Sequence, residues 1–164
     1  MSEFKLSDTI DVSIDTAKGI IDRFFKAVPK VKQFLTMLGN LGKQRGFIRS
    51  PQPYGRYRFF DDVNQEDFKR LGEIERQSKN HPIQSGNADM TKLALIYIYR
   101  TIKENSYPVR LIHQVHDEIQ TEVKEEFADQ WVIIMEDLMN KAAGAILKTV
   151  PMSVDCKVSD HWSK

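Results

Sequence analysis

The run His116-Asp117-Glu118 places an imidazole and two carboxylates side by side between two β-rich stretches, Val109–Val115 and Ile119–Val123. Residues of that kind at a hairpin tip suit a hard divalent cation. Magnesium takes one or two protein carboxylates and completes its shell with water and phosphate oxygens, and paired ions can polarise both ends of a phosphoryl displacement. One such tip contributes to a two-ion site without completing it, because ions about 3.5–4 Å apart usually share a further carboxylate from another strand. An acidic turn also serves as an ordinary solvated turn, and composition leaves both accounts open.

A second group lies in Glu75-Arg76-Gln77-Ser78-Lys79-Asn80-His81-Pro82-Ile83-Gln84, where Arg76, Asn80 and Gln84 recur every four residues. On a persistent helix they share one face, and all three side-chain types hydrogen-bond to base edges and sugars. A polar outer helix face explains them equally well, and Pro82 bears on whether Gln84 stays aligned. The third group is basic. Residues 1–60 hold eleven bases and five acids, a balance of +6, while residues 61–164 hold thirteen and eighteen, a balance of −5. Within residues 39–60, Lys43, Arg45, Arg49, Arg56 and Arg58 occur with no acid, interleaved with Phe47, Tyr54, Tyr57, Phe59 and Phe60. Such a stretch can grip phosphates, and a solvated hairpin with basic outward positions has the same composition.

Other chemistries find no support. The single cysteine, Cys156, allows neither an internal disulfide nor a multi-thiolate zinc site. Four histidines occur without zinc-protease spacing, and serine-hydrolase, Walker-type and dinucleotide-binding signatures are absent. His113, alternating with Leu111 and Val115, reads as a packed structural residue. With 164 residues, 41% hydrophobic and 29% charged, the chain is expected to form a single domain over residues 1–164 with one core. The start MSEFKLSDTIDV has no apolar segment of signal or membrane-span type, so a reducing, cytosolic setting is expected.

The elements that must carry these groups follow from periodicity. Ile14, Ala17, Ile20, Ile21, Phe24, Phe25 and Val28 form one helical stripe, which Pro29 breaks or restarts. A second stripe, Val31, Phe34, Leu35, Leu38 and Leu41, ends near Gly42 or Gly46. Phe47–Arg49 and Arg56–Phe60 flank the Pro/Gly loop as short strands. A polar helix over 65–79 is expected to stop at Asn80-His81-Pro82, and another to run from about Asn87 to Lys103. The acidic hairpin, a helix from about Glu126 to Lys148, and a last strand, Met152 to Val158, complete an α+β fold of helices packed on a small antiparallel sheet. His161 and Trp162 are read as an aromatic end docked on that sheet.

Taken in order, these pieces resemble the C-terminal palm region of family A DNA polymerases over about residues 14–164. The family's Phe/Tyr-Phe…Tyr-Pro-x-Val helix corresponds to Phe24-Phe25…Val28-Pro29-Lys30-Val31, its Gly-Tyr/Phe-Val/Ile strand to Gly46-Phe47-Ile48, and its Gly-Arg-x-Arg loop to Gly55-Arg56-Tyr57-Arg58. The Glu-Arg-x-x-x-Asn-x-Pro-x-Gln run matches Glu75, Arg76, Asn80, Pro82 and Gln84, and Ala88, Asp89 and Lys92 continue the match. Gln114-Val115-His116-Asp117-Glu118 resembles motif C, and Asp160-His161-Trp162 the family's terminal Trp.

The resemblance implies that Asp117 is a catalytic Mg2+ ligand with Glu118 in support, and that His116 lies near the primer 3′ end. It implies further that Arg76, Asn80, Gln84 and Gln114 contact primer-template DNA, with Lys43, Arg45, Arg56 and Arg58 favouring its backbone. Motif A, with its second metal-bridging Asp, has no counterpart here. Motif B, with its triphosphate-binding Lys, is also absent, and Ser85-Gly86-Asn87 replaces the usual Gly-x-Ala after the Gln. The expectation is a fragment or subunit, inactive alone, that joins a complementary polymerase fragment to act on primer-template and dNTP. The alternative is a binding module of palm-like shape without chemistry. The apolar stripe of residues 14–41, left without neighbours, would favour self-association.

Overall fold

Ser2 and Ser13 accept hydrogen bonds from the backbone N–H groups of Lys5 and Thr16, and so start helices α1 (Glu3–Ile10) and α2 (Ile14–Ala27). Pro29 sits in the first turn of α3 (Pro29–Arg45), where its missing N–H has no intrahelical partner to lose. The proline thus restarts the helix, and Gly46 at φ +69° ends it. Strands β1 (Phe47–Arg49) and β2 (Tyr57–Phe59) follow, then the 38-residue α4 (Phe68–Asn105), β3 (Val109–Val115), β4 (Glu118–Val123) and α5 (Ala128–Ile146). The computed structural model describes residues 2–61 and 63–161. The α+β class holds, with the strands in two small antiparallel sheets, β1-β2 and β3-β4.

Two compact units divide the chain. The first comprises Met1–Ile48 and Phe59–Lys79, around a core of Leu38, Ile48, Phe60 and Ile74. The second comprises Arg49–Arg58 and Asn80–Lys164. Its core joins Ala94 and Ile98 of α4, Val109 and Ile119 of the hairpin, and Trp131, Met135, Leu138 and Ala142 of α5. Burial of side chains such as Ile98 contributes about 1.5–3 kcal/mol each. Tyr107, Phe127 and Trp131 cluster beside this core with ring centroids 5.0–6.5 Å apart.

Two sequence expectations fail here. The helix does not stop at Asn80-His81-Pro82, because Pro82 lies inside α4. Pro82 is itself buried, and packing outweighs the roughly 3 kcal/mol that an interior proline costs. Just past it, the Ser85 hydroxyl donates to the His81 carbonyl at 2.5 Å. The segment Met152–Val158 forms no strand. The Cys156 N–H bonds instead to the Glu136 carboxylate at 3.4 Å, a side-chain partner in place of a ladder.

Candidate metal-binding turn and nucleic-acid face

The β3-β4 hairpin carries the acidic tip on a two-residue connection, His116-Asp117, with Val115 opposite Glu118. His116 adopts φ +52°, a left-handed conformation that costs a non-glycine residue about 1–2 kcal/mol. Strain of this kind gathers at functional sites when the surroundings enforce it. Here the Gln114 amide donates to the His116 carbonyl at 2.7 Å, across the turn. Behind the tip, the Trp131 indole N–H donates to Thr121 Oγ1 at 2.9 Å and ties β4 to α5. His116, Asp117 and Glu118 are all exposed. Glu118 accepts from the Gln120 amide at 2.8 Å, and among the described residues no ion pair engages Asp117.

This donor set bears directly on magnesium. Among the described residues no group of three or more His, Cys, Asp or Glu side chains could hold a metal ion. Two exposed carboxylates with hard oxygens nonetheless fit the share that one protein segment gives to magnesium, whose remaining positions go to water and phosphates. Cys156 offers no alternative chemistry. Burial, then the charges of Glu136 and Asp155, pushes its thiol up to about 11, so it is protonated at neutral pH.

Arg76, Asn80 and Gln84 are all exposed on α4, whereas Ile74, Ser78 and Pro82, two positions earlier in each case, are buried. An offset of two residues is about 200° around a helix, so the polar ladder faces away from the buried side. The continuity of α4 through Pro82 therefore keeps Gln84 in step with Asn80.

The basic stretch is more committed than its composition suggests. Lys43 Nζ donates to Glu75 at 2.7 Å, Arg49 Nε donates to the Gly55 carbonyl at 3.1 Å, and Arg56 Nε meets Asp89 at 2.5 Å. The Arg49 guanidinium also lies 5.3 Å from the Tyr57 ring centroid. Arg45 and Arg58 are exposed. Asp89, whose side chain is 2% exposed, enters the sequence reading only through the family resemblance, and its pairing with Arg56 is not expected from sequence because the two lie 33 positions apart.

His113 is exposed rather than packed. The register slips between Leu111 and His113, and the extra residue at this bulge, Ile112, breaks the alternation on which a packed position depends. The expected docking of Trp162 lies outside the described residues, while His161 is exposed beside Asp160. Among the described residues no helix is long and apolar enough to cross a membrane.

Comparison with known proteins gives the class of this α+β chain. The family description "DNA polymerase family A" matches residues 1–164, so the chain belongs to that family. It is 28% identical over 164 residues to DNA polymerase I of Chloroflexus aurantiacus, which covers 100% of this chain and 17% of the relative. It is 32% identical over 162 residues to DNA polymerase I of Caldicellulosiruptor bescii, covering 99% of this chain and 18% of the relative. The chain thus spans less than a fifth of the length of these curated relatives. Among solved structures, the POL domain of Pol1 from M. smegmatis, in complex with DNA primer-template and dNTP, superposes with a TM-score of 0.77 at 26% identity. That match covers 86% of this chain and 24% of the other.

Proposed function

We propose that this chain forms the motif C part of a family A polymerase palm, and that it serves nucleotidyl transfer only together with a complementary segment carrying motifs A and B. The observation that carries the reading is the Gln114–Glu118 tip: an exposed Asp117 on a turn that a hydrogen-bonded, positive-φ His116 holds in place. Asp117 would hold Mg2+, with Glu118 beside it. The ion, when bound, supplies Lewis-acid polarisation of the transferring phosphoryl group.

The chain's own residues would do the positioning. Gln114 fixes the turn, and His116 stands at the primer 3′ end. Arg76, Asn80 and Gln84 offer donors to the minor groove, where the A N3 and T O2 acceptors recur whichever way an A·T pair is turned, so geometry is tested with little reading of sequence. Arg45 and Arg58 add positive charge toward the phosphate backbone, whereas Lys43 and Arg56 are paired with Glu75 and Asp89 and contribute to the shape of the surface instead. The complementary segment would supply the second bridging carboxylate and the cation that binds the dNTP triphosphate.

The first unit also suits such a partner. Phe24, Phe34 and Met37 on α2 and α3 are 57%, 46% and 48% exposed, and an open groove of about 690 Å3 runs along Lys32, Met37, Asn40 and Leu41. Apolar surface of that kind is covered in a complete assembly and drives self-association in its absence.

Primer extension tests the reading. With magnesium and all four dNTPs, the chain alone should leave a primer unextended. The chain mixed with the polymerase-domain segment that precedes the matched region in the C. bescii relative should extend it. Extension by the chain alone, or none by any such mixture despite demonstrated association, would contradict the proposal.

A further inference from the structure

Arg56, at the end of the loop that separates β1 from β2, is held by backbone and side chain alike. Its N–H donates to Ser50 Oγ at 2.8 Å, its carbonyl accepts from Ser50 N–H at 2.8 Å, and His81 Nε2 of α4 donates to the same carbonyl at 3.3 Å. Its guanidinium Nε reaches Asp89, also on α4. Ser50 and Asp89 are 5% and 2% exposed. Burying a carboxylate so far from water is costly without a counter-charge, and Arg56 is the ion partner Asp89 has among the described residues. The pair carries no net charge, so it adds little to counterion release from a polyanion.

We propose that Asp89 is a positioning residue for nucleic-acid binding. By holding Arg56 against α4 it fixes residues 50–58, the connecting loop and the start of β2, in the conformation that presents, with Asn80 and Gln84 of the same unit, a preorganised surface to primer-template DNA. Arg56 acts through Asp89 and not as a phosphate ligand. The inference rests on the proposed function for its DNA target, and the fastening itself is measurable without DNA.

The experiment compares the 164-residue chain with Arg56→Gln, Asp89→Asn, the double variant and Arg56→Lys. Amide hydrogen exchange over residues 50–58 is read without DNA. Binding to a labelled primer-template duplex is read by anisotropy over a salt series. The expected result is exchange at least about tenfold faster over the loop in both single variants, with protection returned by Arg56→Lys. Binding should weaken by a similar factor, about three- to tenfold, in each single variant, with the double variant no weaker than either, as for two residues acting as one unit. The slope of log affinity against log salt should stay at the parent value.

A slope lowered by about 0.9 in Arg56→Gln, with Asp89→Asn like the parent, would make Arg56 a direct phosphate contact and overturn the proposal. Should Asp89→Asn fail to fold, the two Arg56 variants, altered at a half-exposed side chain, decide the question. If the parent chain binds no duplex, the functional reading fails on that arm, and unchanged loop exchange in the variants would independently refute the fastening.

Discussion

Gly42 on α3 and Ser78 on α4 meet so closely that a β-carbon on Gly42 would lie 1.9 Å from Ser78 Oγ and 2.9 Å from Ser78 Cβ. The contact leaves the Ser78 hydroxyl buried, with no hydrogen-bond partner among the described residues. Close approach of two helices is thereby gained at the expense of an unsatisfied polar atom. Ser78→Ala removes that atom and should stabilise the chain by about 1 kcal/mol, while Gly42→Ala overpacks the crossing and should destabilise it by about 1–3 kcal/mol. Urea midpoints at constant m-value measure both. A lowered midpoint for Ser78→Ala would mean that the hydroxyl has a bonding role.

Glu75 lies between two cations: Lys43 at 2.7 Å and Lys79 at 2.5 Å. The hydrogen bond from Lys43, then that from Lys79, lowers its carboxyl below the ordinary 4.5, against the opposing effect of partial burial. The unfolded chain therefore binds the proton at higher pH than the folded chain does. This contribution to stability is present above about pH 4.5 and is lost as pH falls through the lowered folded value. Urea unfolding at stepped pH should show stability falling across that window in the parent, with a shallower fall in Glu75→Gln. Equal slopes would contradict the assignment.

His116 joins a strained backbone to a candidate functional side chain, and two substitutions separate them. His116→Gly relieves the left-handed φ of +52° and should hold or raise stability by up to about 1 kcal/mol, whereas His116→Val should lower it by about 1 kcal/mol or more. Thermal melts measure the backbone effect. If the imidazole serves the primer end, His116→Gly should still lower extension by the assembled enzyme, and a fully active His116→Gly would confine the residue to a turn role.

Much of this was legible in the residues. The helices carrying the Ile14–Val28 and Val31–Leu41 stripes, the end of the second at Gly46, one of the two glycines expected there, and the hairpin, whose turn is one residue shorter than His116-Asp117-Glu118, depend on local periodicity and turn chemistry. Pro82 misled, because the local rule for proline carries no knowledge that this proline would be buried. Ile112 misled in another way: a single bulged residue inverts the faces of a strand, and nothing in its type announces it. The Arg56–Asp89 pair joins residues 33 apart, a relation that only the fold creates. Met152–Val158 has β-type composition, yet a strand needs a neighbour, and the N–H of Cys156 found Glu136 instead. The exposed Asp117 is the reverse case, since its order in the chain was informative while its geometry alone would suit any solvated turn.

The most direct test of the central claim is single-nucleotide incorporation by the assembled enzyme, comparing the parent chain with Asp117→Ala at saturating primer-template and magnesium. The account predicts a rate lower by at least about a hundredfold with primer-template affinity retained, because the carboxylate would hold the ion that stabilises charge developing in the transition state. An Asp117→Ala enzyme that incorporates at the parent rate would show that this turn holds no catalytic metal.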